Sequence, residues 1–184
     1  MRRTEPRVAP VPVADRSDEV TALLAPVGGD AADNVFATMA NHPKLMKRWM
    51  VFANHVLAKS TLPPRERELA ILRIGWRSDA GYEFAQHAVI GLREGLTAEE
   101  IERLKIGPDA DGWSDADRAL LRAVDELDSN CDVSDATWAE LSPTWSTEQL
   151  MHLVFAVGQY RLVSMALNTF GVQLDDRLPT EHLR

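Results

Sequence analysis

Apolar residues recur along most of the chain at intervals of three and four positions, with polar residues between them. Leu45, Trp49, Phe52 and Val56 follow this spacing in one segment. Such spacing places the apolar side chains on one face of an α-helix. No segment shows the sustained alternation of apolar and polar residues that is typical of a β-strand. The pattern therefore predicts an all-α fold after about residue 17.

Prolines, glycines and capping residues divide this pattern into successive helices. Proline suits the first turn of a helix, and Thr97 with Glu100 forms a capping box. Thr61 is predicted to cap the helix whose opening turn holds Pro63 and Pro64. The predicted helices run from Asp18 to Leu24, Ala32 to Ala40, Pro43 to Lys59, Thr61 to Arg77 or Ser78, and Tyr82 to Glu94, and four more begin near Thr97, Ser114, Asp132 or Ser134, and Ser146 or Thr147.

The last predicted helix, which ends near residue 170, is apolar on nearly every side. All-round apolarity is typical of a buried helix at the centre of a fold. Buried polar groups need partners. Its polar exceptions therefore face a functional site, a subunit contact or the end of another helix; they are Tyr160, Arg161, Ser164 and Asn168.

The chain of 184 residues is long enough for one domain with a substantial core. We assign that helical domain to residues 17–184. Residues 1–16 contain Pro6, Pro10 and Pro12 and predict an extended arm, either disordered or packed on a neighbouring subunit. No secretory signal is recognisable at the N-terminus and no apolar run reaches the ~18 residues of a membrane span, so a cytoplasmic protein without a membrane partner is expected.

The net charge of −8 is distributed unevenly. Residues 97–140 contain thirteen Asp and Glu against four Lys and Arg, which gives this segment alone a charge of −9. We interpret it as a solvated acidic face. No basic stripe is present, so nucleic acid is not expected as a partner.

The chain has one cysteine, Cys131. An internal disulfide and a two-thiol redox cycle within one chain are therefore excluded. Its neighbour Asp132 is acidic, whereas a reactive thiolate needs an electropositive setting. The cysteine is interpreted as incidental.

The segment from Glu68 to His87 is the best candidate for a functional site. Glu83 and His87 are four residues apart on one helix and share a face, and Glu68 lies on the preceding helix. A carboxylate beside an imidazole can fix its tautomer and pass a proton. A purely structural histidine fits the pattern as well. No second histidine stands at a metal-binding spacing, so no metal site is predicted.

The residues of this segment carry a resemblance to a known family. Pro63-Pro64-Arg65-Glu66-Arg67-Glu68-Leu69-Ala70-Ile71-Leu72-Arg73, then Tyr82-Glu83-Phe84 and His87, resemble the carboxymuconolactone decarboxylase family, which includes the AhpD-like alkylhydroperoxidases. Further matching positions lie in residues 95–101 and 158–172, so the resemblance spans roughly residues 34 to 175. It implies an all-α, AhpD-like helical bundle that forms homo-oligomers such as dimers, trimers or hexamers.

The resemblance also implies roles for individual residues. Glu68 and His87 match the glutamate and the last histidine of the family's proton relay. Ala80 and Glu83 stand where the AhpD-like branch has its two cysteines, and Tyr82 replaces its first histidine. The thiol pair is therefore missing, and peroxide reduction through a disulfide is not expected.

By resemblance to the cysteine-free decarboxylase branch, His87 would transfer the proton and Glu68 would orient it. Glu83, which we count with Glu68 and His87 among the catalytic residues, would line the pocket together with Tyr82. Trp76 would bind the substrate beside them. Either Arg73 or Arg161 would hold a substrate carboxylate. No cofactor is implied.

The first functional hypothesis is a cofactor-free lyase of the carboxymuconolactone decarboxylase type, acting on a small acidic or lactone metabolite, as in the breakdown of aromatic compounds. The second is a dehydratase or isomerase that uses the same residues. The third is a non-catalytic helical oligomer that binds a small molecule or a protein; it predicts that Glu68 is held in a salt bridge, for example by Arg65 or Arg73, and that no pocket reaches His87. A residual peroxidase would need Cys131 near His87.

Overall fold

The computed structural model describes residues 3–181, and all its regular secondary structure is helical. Residues 1–2 of the predicted arm and 182–184 of the predicted domain lie outside the described residues. The all-α prediction is confirmed. The α-helices are α1 (Asp18–Leu24), α2 (Asn34–Met39), α3 (Pro43–Ala58), α4 (Pro64–Arg77), α5 (Gly81–Arg93), α6 (Ala98–Ile106), α7 (Asp115–Asn130), α8 (Asp135–Leu141) and α9 (Thr147–Phe170).

Most helices begin where a hydroxyl side chain accepts a hydrogen bond from the backbone of the first turn. The capping side chains are those of Ser17, Thr97, Ser114, Ser134 and Ser146, and Thr97 forms the predicted capping box. The prediction for Thr61 is wrong: α4 begins after Pro63 without a side-chain cap. The Thr61 hydroxyl instead donates to the Glu148 carbonyl, 3.4 Å away.

The central helix of the fold is α4. Its residues from Leu69 to Leu72, and Ile74, have no exposed surface, because α5, α6, α7 and α9 all pack against it. Burial of this apolar run supplies much of the hydrophobic stabilisation of the core. It also fixes α4, and with it Glu68, relative to the four surrounding helices.

Three arginines on α4 form ion pairs with three aspartates on α7. Oppositely charged side chains in this geometry make short, charge-assisted hydrogen bonds. The acidic segment is therefore more than the solvated face we expected, since part of it holds α7 against α4. The pairs are Arg65 with Asp117, Arg73 with Asp125 and Arg77 with Asp128, each with a contact of 2.7 or 2.8 Å.

One side of α9 is buried and the other is exposed. Leu150, Leu153 and Ala156 lie in the core, whereas Met151 and Phe155 are 58% and 56% exposed. The prediction of a helix buried on all sides is therefore correct for one face only. By length and composition α9 could cross a membrane, but 56% of its apolar window is buried inside the fold, as in the core helix of a globular protein.

The described part of the N-terminal arm packs on its own chain. The backbone N–H groups of Arg7 and Val8 donate to the Phe170 carbonyl at 2.7 and 3.1 Å, and that of Val11 donates to Ala37 at 2.9 Å. The arm thus lies across the C-terminal end of α9 and against α2. These contacts are within one chain, whereas the sequence suggested disorder or a neighbouring subunit.

Candidate active site

A tight hairpin between α4 and α5 brings the candidate residues together. Asp79 adopts a left-handed conformation with φ of 51° in the turn. Farther along, Gly91 lets the two helices approach closely, because a Cβ there would lie 3.3 Å from Leu72 Cδ1 and 3.7 Å from Glu68 Cβ, both on α4. This close packing places Glu68 of α4 directly opposite His87 of α5.

Glu68, His87 and Glu83 form a continuous chain, which we call the relay: a hydrogen bond joins Glu68 to His87, and a close ion-pair contact joins His87 to Glu83. The Glu68 Oε2 atom lies 2.6 Å from His87 Nδ1, and the Glu83 Oε1 atom lies 3.0 Å from His87 Nε2. Behind them, Arg67 Nε donates to Glu68 Oε1 at 2.9 Å. Both ring nitrogens of His87 are therefore bound to carboxylates.

The relay holds His87 in its protonated form. Burial by itself lowers the pKa of the imidazole, but Glu68 and Glu83 outweigh burial and raise that pKa from 6.5 to about 10. Burial likewise acts to raise the pKa of Glu68, but His87 and Arg67 outweigh it and keep that pKa below its usual value. At neutral pH the ring is thus an imidazolium between two acidic side chains.

Tyr160 of α9 packs edge-on against the ring of His87. The two ring centroids are 4.8 Å apart and the ring planes meet at 82°. Burial, together with Glu83 and Glu68, raises the pKa of the phenol well above its usual value. The hydroxyl therefore stays protonated, and the ring limits how far the imidazole can turn.

The relay opens into a cavity of about 480 Å³ between α2, α3, α5 and α9. This volume is in the range of small-molecule sites. Pro26 and Asn54, which are exposed, also line the cavity, so it reaches the protein surface. The other lining residues are Val27, Val35, Phe36, Trp49, Met50, Ala53, Leu57, Tyr82, Glu83, Gln86, His87, Ile90, Gln159, Tyr160 and Val163.

Of the predicted site residues, the structure brings Glu68, Glu83 and His87 together. The ring of Tyr82 lines the cavity, but its hydroxyl donates to Asp175 at 2.5 Å. Burial and that carboxylate raise the pKa of Tyr82. We interpret this tyrosine as a wall of the cavity and an anchor for the C-terminal segment.

Three predicted substrate-binding residues lie outside the cavity. Arg73 binds Asp125 through two hydrogen bonds of 2.7 Å and also donates to the Leu104 carbonyl. Trp76 packs against Phe84 with the ring centroids 5.3 Å apart.

The third of them, Arg161, contacts the Ser78 hydroxyl at 2.8 Å and Asp128 at 3.1 Å. Asn168 donates to the Ser78 carbonyl at 2.9 Å. Arg73, Trp76 and Arg161 therefore stabilise helix packing, because their polar or aromatic groups are already used by protein partners.

Sequence reasoning missed several residues of the site. Arg67 sits in a run of four charged residues, 65–68, in which the pattern does not distinguish a buried member from a solvated one. Gln159 carries no signal, since a single amide on an apolar helix has no recognisable spacing. Tyr160 was recognised only as one of the four polar exceptions on the last helix. Of these four residues, Tyr160 is the one that contacts the relay.

The structure also bears on metal binding and on thiol chemistry. Among residues 3–181, no group of three or more His, Cys, Asp or Glu side chains is arranged to hold a metal ion. Cys131 is exposed at the C-terminal end of α7 and does not line the cavity. No thiol therefore stands beside the relay in the described structure.

Comparison with known proteins identifies a family region. Residues 43–126 match the model of the carboxymuconolactone decarboxylase family. This match includes the whole relay and is shorter than the span suggested by the sequence motifs. No curated protein matches the chain.

Several solved structures share the fold. An uncharacterised peroxidase-related protein from Silicibacter sp. TM1040 has a TM-score of 0.82 at 14% identity, covering 100% of this chain and 99% of that one. An alkylhydroperoxidase AhpD core protein from Ralstonia eutropha JMP134 has a TM-score of 0.79 at 20% identity, with 92% of each chain covered. The debrominase Bmp8 in complex with 2,3,4-tribromopyrrole has a TM-score of 0.72 at 18% identity, with 94% of each covered. At these identities the likeness shows an AhpD-like fold.

Proposed function

We propose that this protein is a cofactor-free acid–base enzyme of the carboxymuconolactone decarboxylase family, whose model matches residues 43–126, and that it transfers a proton on a small lactone or related metabolite. One observation carries the proposal: the relay of Glu68, His87 and Glu83 ends in a cavity that reaches the surface. A buried acid–base chain that meets a cavity is typical of a catalytic site.

In this proposal Glu83 is the group that contacts the substrate. Both nitrogens of His87 are occupied, one by Glu68 and one by Glu83, so the imidazole acts through Glu83. The hypothesis from the sequence counted both residues as catalytic, with His87 transferring the proton to the substrate and Glu83 lining the pocket. The geometry supports exchanging these two roles.

The relay can work in either direction. As a base, Glu83 takes a proton from a carbon next to a carbonyl, and the electron pair of that C–H bond moves onto the carbonyl oxygen. As an acid, Glu83 gives up a proton that His87 replaces, and a substrate carbanion takes it. In a decarboxylation the carbanion forms as the carbon–carbon bond breaks and carbon dioxide leaves.

The sequence placed the lyase first and a dehydratase or isomerase second, and the cavity supports the reverse order. Among the described residues that line the cavity there is no Lys or Arg, so a substrate carboxylate would have no such cation to bind it. The third hypothesis expected no pocket at His87, whereas a cavity does reach the ring. A thiol peroxidase is disfavoured since Glu83 occupies the position of the family's thiol.

The proposal is tested with Glu83→Gln, His87→Gln and the control Glu94→Gln, which changes an exposed carboxylate of the same region. We expect the first two variants to slow deuterium uptake by α-angelica lactone, or carbon dioxide release from carboxymuconolactone, by about 10²–10⁴-fold. Circular dichroism would verify that the variants are folded. Turnover by His87→Gln within a few-fold of the wild type would contradict acid–base work by the relay.

The product identifies the reaction type. Carbon dioxide release supports the lyase, and deuterium exchange without it supports an isomerase or a dehydratase. If the wild type catalyses neither reaction on these probes nor on a wider set of lactones, the binding-protein hypothesis replaces the enzymatic one.

We also propose that the protein self-associates and works in the cytoplasm. Support for self-association comes from the exposed apolar residues of α3 and α9, which in a single chain are open to water. They are Val51, Phe52, Met151, Val154, Phe155, Leu162 and Met165. We call this surface the α3/α9 apolar face.

A further inference from the structure

We propose that the cavity selects an uncharged, flat ring compound with one hydrogen-bond acceptor, and that Gln159 donates the hydrogen bond that recognises it. This inference rests on the proposed function because it names the substrate class of the same site. It assigns Gln159 as a specificity residue. It also predicts that carboxylic acids, including the acidic metabolites expected from the sequence, bind poorly.

Gln159 is a buried amide without a protein partner. Its side chain lines the cavity, and the residue is only 6% exposed. Among residues 3–181 no hydrogen bond of the Gln159 amide to another residue is found, and the amide is not among the fully buried side-chain atoms that lack a partner. It therefore faces the open space of the cavity, where we infer that a bound ligand takes the place of water as its hydrogen-bond partner.

A second glutamine in the same cavity shows the contrast. Gln86 Nε2 donates to Asp33 Oδ2 at 3.0 Å, and its Oε1 atom accepts from Arg177 at 3.3 Å. Both ends of that amide are therefore used within the protein. Of the two cavity glutamines, Gln159 is the one left to recognise a ligand.

The charges of the cavity oppose an anion. Among the described lining residues, the only Asp, Glu, His, Lys or Arg side chains are Glu83 and His87, and the positive charge of His87 is already shared between two carboxylates. A carboxylate ligand would lose its hydration and meet Glu83 without a cation of its own. A neutral ligand avoids both costs.

The walls of the cavity suit a flat, apolar ring. Phe36 and Trp49 supply aromatic surface, and Val35, Leu57 and Ile90 supply aliphatic surface. Aromatic and branched side chains favour planar hydrocarbon surfaces. One polar atom on such a ring would reach the Gln159 amide, with the neighbouring carbon near Glu83.

The test compares phthalide, a neutral bicyclic lactone, with its ring-opened anion 2-(hydroxymethyl)benzoate, and with indane, which has no acceptor. Binding to the full chain is measured by calorimetry at neutral pH. We expect phthalide to bind at least about tenfold more tightly than the anion. Gln159→Leu should weaken phthalide binding by about three- to tenfold and leave indane within about twofold.

Matched variants make the result decisive. Gln86→Leu removes an amide that already has protein partners, so we expect it to change phthalide binding less than Gln159→Leu does. Gln159→Met provides a second test if the leucine variant folds poorly. Equal losses for phthalide and indane, stronger binding of the anion, or no phthalide binding by the wild type would overturn the proposal.

The same measurement separates this proposal from the proposed function. Glu83→Gln should still bind phthalide even though it slows turnover by about 10²–10⁴-fold. Phthalide binding without any catalysis by the wild type would contradict the enzymatic proposal and leave the ligand class intact. If the protein turns over lactones and Gln159→Leu leaves KM unchanged, the role of Gln159 is contradicted and the enzymatic proposal stands.

Discussion

The charge of one imidazole determines how the site behaves. His87 is flanked by carboxylates on both ring nitrogens, and its pKa rises from 6.5 to about 10. A folded-state pKa above the unfolded value means that the folded protein holds the proton more tightly. The protonation state of His87 therefore affects the folding stability of the protein as well as the proposed catalysis.

The stability contributed by His87 should vanish on the alkaline side. It is fully present below about pH 6.5 and is lost as the pH rises towards about 10. Urea denaturation across that range should therefore show a falling midpoint for the wild type and a flatter curve for His87→Gln. His55→Gln, a change at an exposed histidine, is the control. Parallel curves for the wild type and His87→Gln would contradict a raised pKa.

The helices were largely predictable, because their limits depend on neighbours in the sequence. Proline at Pro43 and the capping serine Ser114 each act within one turn, and both predictions hold. The start of α2 was placed two residues early, since Gly29–Ala31 forms a short 3₁₀ turn and Ala32 is extended. Local signals are weakest where such turns join helices.

The candidate site was only partly predictable, because long-range partners decide what a side chain does. Arg73 suited a carboxylate ligand by chemistry, yet its partner is Asp125, 52 residues farther along the chain. The cavity is formed by four helices whose relative placement no short segment encodes. Glu68 and His87 were found because their residue types and their resemblance to the family both point to proton transfer.

At the scale of the elements, the contact between α4 and α7 should depend strongly on one carboxylate, that of Asp125, which contacts both Arg73 and Arg77. Asp125→Ala leaves the buried Arg73 guanidinium without its carboxylate, so we expect a loss of about 3 kcal/mol in the free energy of unfolding. Glu140→Ala breaks the more exposed pair with Arg122 and should cost less than about 1 kcal/mol. Urea denaturation measures both. Equal costs would show that burial does not set the strength of these pairs.

At the scale of the whole molecule, the α3/α9 apolar face is not covered by any part of residues 3–181. The rings of Phe52 and Phe155 meet there with centroids 6.2 Å apart, and Phe155 remains 56% exposed. A surface of this kind on a soluble monomer is unusual. A second copy of the chain would bury it.

Phe155→Glu should therefore dissociate the assembly, because it places a charge in the centre of the contact. Size-exclusion chromatography with light scattering is expected to give an oligomer for the wild type and a monomer for the variant. Leu92→Glu alters an apolar residue of α5 that is 44% exposed and should leave the mass unchanged. A wild type that is monomeric at all concentrations would contradict self-association.

The position of Cys131 has a practical consequence. It is the chain's single cysteine and is exposed at the C-terminal end of α7, where its φ is 58°. A maleimide dye or a nitroxide would attach to every molecule at this one residue, which does not line the cavity. Energy transfer or electron resonance between labelled copies could then report their spacing without any engineered cysteine.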